Sequence, residues 1–230
     1  MESYYLIFEV FGYLNSVLLT AYSALGIMVL KKSNNNILKT VAFYLLFSFC
    51  FDLMIRFSII MFGRNFIVEF SSIFLKILFR LAELLIIGYL INKHWLKSKI
   101  VWVLIGASSL YLLYDLFTYR ANGILNYAAY AQISANVLLV FLIAANLLKQ
   151  LKDTKPFSVT NQMLCMVFLT YFSIHLIYTV LQNFIINQSF SSKSFALFYS
   201  SYAGLHIIYY FALAFILFKN RKDSVKIHSM

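Results

Sequence analysis

Four ionisable residues stand in a stretch that is otherwise built for oil. Phe66 to Asn92 reads FIVEFSSIFLKILFRLAELLIIGYLIN and carries Glu69, Lys76, Arg80 and Glu83. Their spacings of seven, four and three residues put all four on one face of a helix. A charge at the centre of a bilayer costs roughly 2.5 to 3.5 kcal/mol on insertion scales, so that face must look into protein or water. The preceding apolar stretch adds Asp52 and Arg56, four residues apart. Three cations and three anions make the set formally neutral. Counted from a turn at Gly63 to Asn65, Asp52 and Lys76 each lie about 18 Å away, Arg56 about 12 Å and Glu69 about 8 Å. These depths predict the ion pairs Asp52 with Lys76 and Arg56 with Glu69.

Further along the chain, His175 and His206 fall near the middle of two apolar stretches, and Asn136 falls at a comparable depth in a third. Tyr171, Tyr178, Tyr202 and Tyr209 add hydroxyls, while Glu9 and Asp115 lie nearer one end. Lys76, Arg80, Glu83, His175, His206 and Asn136 together form a candidate ligand-, ion- or proton-handling chamber, with Asp52, Arg56 and Glu69 as supporting ion pairs. The same residues could instead pair across the protein and fix helix register. Both readings stand on the sequence alone.

The elements that must position these groups follow from composition. Of 230 residues, 62% are hydrophobic and 12% charged, against roughly 25% charged in an ordinary soluble domain. A single Pro and seven Gly leave few helix breaks, and 24 Phe with 17 Tyr supply bulk and interfacial rings. Apolar windows long enough to cross about 30 Å of hydrocarbon recur at 5–30, 37–62, 66–92, 100–119, 127–148, 160–186 and 195–218. The expected fold is an all-α integral membrane protein, a seven-transmembrane helix bundle forming a single domain over 1–230. MESYY has neither a basic segment nor a cleavage site, so the first helix is expected to remain in the mature protein.

The basic residues set an orientation. Alternate connections and the tail hold thirteen of the nineteen Lys and Arg: Lys31, Lys32 and Lys39; Lys93, Lys97 and Lys99; Lys149, Lys152 and Lys155; Lys219, Arg221, Lys222 and Lys226. The opposite connections hold Arg64, Arg120 and Lys193. The positive-inside rule then places the N-terminus outside and the C-terminus in the cytoplasm, with the bacterial inner (plasma) membrane as the expected location. The net charge of +11 is spread over short connections, which speaks against nucleic acid as a partner and for anionic lipid at the cytoplasmic face. The tail KNRKDSVKIHSM is too short for an output domain, so signalling would need a cytoplasmic partner protein.

Trp95 and Trp102 on one side, and Tyr119 and Tyr127 on the other, read as interface anchors. Gly12, Ser16 and Thr20, then Ala128, Ala131 and Ala135, then Ser200 and Gly204 mark places where helices could approach closely. Cys50 and Cys165 read as small core residues at different depths, not as a disulfide.

Seven spans with an outside N-terminus are similar in topology to rhodopsins and G-protein-coupled receptors. The resemblance stops at topology: the last span has no Lys for a Schiff base and no Asn-Pro-x-x-Tyr, and the third ends in LINKHW instead of Asp-Arg-Tyr. PQ-loop carriers are also seven-span, but the one Pro, Pro156, lies in a connection. Seven-span zinc hydrolases related to alkaline ceramidases pair two His four residues apart on the last helix, and His206 has no such partner. No Gly-x-Ser-x-Gly or His-Glu-x-x-His occurs. The expectation is therefore no enzyme, no cofactor and no metal. A membrane sensor or signal-coupling protein leads, with a small-solute or proton-coupled transporter or channel as the alternative; no internal repeat supports the latter.

Overall fold

A computed structural model describes the backbone of residues 2–62, 66–122, 129–152, 158–187 and 192–220, with side chains over the same stretches except 2–9, 56, 58–62, 66–73, 119–122, 183–187, 192, 193 and 195. Among these residues the chain is all-helical: α1 (Glu2–Lys32), α2 (Asn36–Phe62), α3 (Phe66–Leu90), a π-helical turn (Ile91–Leu96), α4 (Lys99–Asn122), α5 (Tyr130–Lys152), α6 (Val159–Asn187) and α7 (Ser192–Asn220). Every apolar window became a helix, with ends displaced by at most four residues. Six of the seven are long and apolar enough to cross a membrane, the pattern of a multi-pass membrane protein. Side chains of α3 are described only over 74–90, a stretch shorter than a span, which carries Lys76, Arg80 and Glu83.

Local chemistry places the helix ends. Asn35 caps α2: its Oδ1 accepts from the N–H of Ile37 at 2.9 Å and of Leu38 at 3.4 Å, satisfying donors that the first turn leaves open. Ser158 does the same for α6 through the Asn161 N–H. Within α1, the Thr20 hydroxyl donates to the Ser16 carbonyl and that of Ser23 to the Thr20 carbonyl, each at 2.8 Å. Hydroxyls so satisfied can be carried into an apolar environment.

The chain divides into two compact units, and the division falls inside α2 and α6. The first comprises 1–50, 157–167 and 189–230. There α1 packs along α7, and Leu19, Tyr44, Leu45, Leu213 and Leu217 are buried. A Cβ on Gly26 would lie 3.2 Å from the Ala42 carbonyl oxygen, so the backbones of α1 and α2 touch at this point. The contact lies farther along α1 than Gly12, Ser16 and Thr20; Gly204, by contrast, has ordinary space, with Phe11 at 3.9 Å.

The second unit comprises 51–156 and 168–188, with α3, α4 and α5 packed on one another. Ile77, Leu84, Ile87, Leu90, Ile105, Leu139 and Phe172 form its core, and Ala131 and Ala135 bury the small face of α5. Gly88 fits α3 against α4, where a Cβ would come within 2.8 Å of Ile105 Cδ1.

Three expectations change at this level. Trp95 is buried and packs on Phe168 of α6 at 6.4 Å between ring centroids, because the π turn rotates it inward; Trp102 remains exposed. Cys50 is exposed instead of core, whereas Cys165 is buried, and neither is in a disulfide. The chain between α3 and α4 is not a simple loop: the Lys97 N–H closes a π turn on the Asn92 carbonyl at 2.7 Å, and Lys97 adopts a left-handed conformation, φ 54°. Buried Asn92 locks that exit by accepting the Ser98 N–H on Oδ1 at 2.8 Å.

Candidate functional site

The polar centre of the second unit is assembled from α3, α5 and α6. Arg80 and Glu83 lie one turn apart on α3 and form an ion pair. Their burial is nearly complete, with 8% and 1% of the side-chain surface exposed. Across from them, Nη2 of Arg80 meets Nε2 of His175 on α6. The other imidazole nitrogen, Nδ1, lies 2.9 Å from the Asn136 side-chain amide on α5 and 3.3 Å from Thr179 Oγ1. The Thr179 hydroxyl donates to the His175 carbonyl at 2.8 Å, and the Tyr171 ring stands 5.5 Å from the imidazole. His175, Asn136 and Thr179 are all buried.

Donor arithmetic fixes the protonation state. A guanidinium only donates, so Nε2 of His175 must be an acceptor. The imidazole is then neutral with its proton on Nδ1, and whatever faces Nδ1 must accept. Thr179 Oγ1 lies 3.3 Å from both Nδ1 and Asn136 Nδ2, and as an acceptor it can serve either. The cluster therefore holds one cation, one anion and a neutral imidazole. Arg80 and Glu83 offset each other, which is the condition for keeping charge in a low-dielectric interior.

Of the six candidate binding residues, the structure brings four together: Arg80, Glu83, His175 and Asn136. Lys76 shares the helix but is exposed. His206 belongs to the first unit, on α7, where its ring lies 4.5 Å from Tyr202 and 6.1 Å from Tyr210. Asp52 is half-buried, and no ion pair among the described residues joins it to Lys76. The side chains of Arg56 and Glu69 lie outside the described residues, as do those of Glu9, Tyr119, Tyr127 and Ala128. Thr179 was missed by the sequence reading, although its position four residues after His175 puts both on one helical face. Among the described residues, no three His, Cys, Asp or Glu side chains converge as metal ligands.

Compared with known protein families, curated proteins and solved structures, the chain matches none of them.

Proposed function

We propose that this chain is a membrane sensor whose responsive element is the Arg80–Glu83–His175–Asn136 cluster and whose stimulus is the proton. In this reading all seven helices cross the bacterial inner membrane, the N-terminus is outside, and a cytoplasmic partner protein receives the output. The observation that carries it is the bond from Arg80 to Nε2 of His175, deep inside a helical unit. Protonating Nε2 removes the only lone pair that can accept from the guanidinium. It also sets a second cation against Arg80, whose charge Glu83 already offsets. Asn136, Thr179 and Tyr171, which also face the ring, carry no charge at neutral pH. One proton thus converts a bond between α3 and α6 into a repulsion, which is what a switch needs: a local charge change acting on packed helices.

Trp95 reports on the same helices, because it follows α3 and packs on Phe168 of α6. In lipid nanodiscs, Trp95 emission of a Trp102→Phe protein should change sigmoidally as the medium is acidified from neutral pH. His175→Asn should abolish the change while the protein stays folded. A flat wild-type titration, or an unchanged one in His175→Asn, would sink the proton reading.

Exposed Lys76, one turn before Arg80, favours a second reading, since an exposed cation on a spanning helix needs water or a partner chain. Proton-coupled transport predicts acidification of proteoliposomes under an imposed gradient, lost in Lys76→Met. No flux above empty liposomes leaves sensing as the reading.

A further inference from the structure

Among the described residues, the end of the second unit where α3 turns into α4 concentrates cations. Lys93, Lys97 and Lys99 come from the π turn and its exit, and Lys149 of α5 donates from Nζ to the Trp95 carbonyl at 3.2 Å. A cation from a separate helix is thereby drawn onto the turn. Neither 91–106 nor 130–152 contains an Asp or Glu, and Asp153, which follows α5, lies outside the described residues.

The turn is also built, not loose. The two bonds from Asn92 pin the left-handed Lys97. Lys93 bonds the Tyr89 hydroxyl and holds its ammonium 4.9 Å from the Tyr89 ring. Tyr89 in turn meets the exposed Trp102 ring at 6.2 Å. Amphipathic rings of this kind sit at the headgroup level of a bilayer. The N-terminal end of α4 opens beside them and contributes the positive end of its dipole.

Gathering like charges is unfavourable unless something of opposite sign completes the set. His94 feels the crowding: burial, then the charges of Lys93 and Lys97, hold its imidazole below the usual histidine range. It is therefore neutral at pH 7, and its shielded Nε2 has no hydrogen-bond partner.

We infer that the π turn is a phosphate-binding site, formed by Lys93, Lys97 and Lys149 and occupied by the headgroup of an anionic lipid. Phosphate suits it because several oxygens can be shared among ammonium groups on two helices, and phosphate is the anion that a bilayer presents at this depth. The inference rests on the chain being embedded in a membrane and is independent of proton sensing at His175.

Trp102 supplies the test. The full-length protein is reconstituted with phosphatidylcholine bearing brominated chains, or with brominated phosphatidylglycerol at equal mole fraction, and fluorescence quenching is compared at about 0.1 M salt. A Trp102→Phe protein isolates the signal of that ring. The expected result is a preference of roughly fivefold for the anionic lipid, the order of effect of one lysine at an anionic surface. Lys93→Gln/Lys97→Asn should bring the ratio close to one, Asn being chosen because it tolerates a left-handed backbone. Lys31→Gln/Lys32→Gln, at the end of α1, should leave it unchanged. If the double variant at the turn does not fold, Lys149→Gln is read in its place and should at least halve the preference. Competition by millimolar inorganic phosphate would make the free anion an occupant of the same site. Equal quenching by both lipids, an unchanged preference in the turn variants, or an equal loss in the α1 variant would each overturn the inference.

Discussion

Arg80 and Glu83 are each expensive to bury and inexpensive together, which makes them the most informative single side chains in the molecule. Removing one partner of a buried pair leaves an uncompensated charge and costs about 3 to 5 kcal/mol. Arg80→Gln and Glu83→Gln should each destabilise by that order, measured by reversible unfolding in mixed micelles. The double variant should cost clearly less than the sum; additive effects would mean that the two do not interact in the folded protein. The seven-residue spacing from Lys76 to Glu83 correctly placed them in one direction around the helix. It could not say that Glu83 is covered while Lys76 is exposed. A helical wheel gives azimuth, whereas cover depends on which neighbouring helix stands at that height. His175 and Asn136 were found by the same logic of polar groups in apolar spans. Thr179 was not, because a hydroxyl that bonds its own helix leaves no mark in hydropathy.

Among the elements, the seven apolar windows were legible because helix length in a bilayer is set by thickness and apolar composition alone. The π turn was not legible. INKHWLK contains neither Gly nor Pro, and the break arises from Asn92 and the left-handed Lys97, interactions visible only once the backbone has turned. Close packing was half legible: Ala131 and Ala135 are buried on α5, while the close approaches at Gly26 and Gly88 carry no mark in the spacing of small residues. The two differ in what a methyl would strike. At Gly26 it meets a backbone carbonyl oxygen at 3.2 Å, and at Gly88 the tip of Ile105 at 2.8 Å. A carbonyl moves only with its helix, whereas an Ile tip can be removed. Gly88→Ala should therefore destabilise by about 1 to 3 kcal/mol, and adding Ile105→Val should recover most of the loss. A double variant no better than Gly88→Ala alone would show that Ile105 is not the obstacle.

For the whole molecule, everything turns on α3. Among the described residues six helices qualify as spans, α3 being described over too short a stretch to be counted, and six spans would return both chain ends to the same side of the membrane. If α3 also crosses, the ends lie on opposite sides. Two observations argue for the crossing. α3 packs along α4 and α5, both apolar enough to span, so it runs beside them within the second unit. Its Arg80 and Glu83 neutralise each other, and His175 accepts a hydrogen bond from the guanidinium, which removes much of the penalty that charge would otherwise impose. The alternation of basic connections carries the same implication, since Lys93, Lys97 and Lys99 fall on the side of Lys31 and Lys149 only if α3 spans. A green fluorescent protein fused to the C-terminus in a bacterial host should therefore fluoresce, and alkaline phosphatase fused there should be inactive. An epitope at the N-terminus should be reachable from outside intact spheroplasts. Phosphatase activity at the C-terminus together with an accessible N-terminal epitope would put both ends outside. That result would remove α3 from the membrane and with it the case for a proton switch at mid-bilayer.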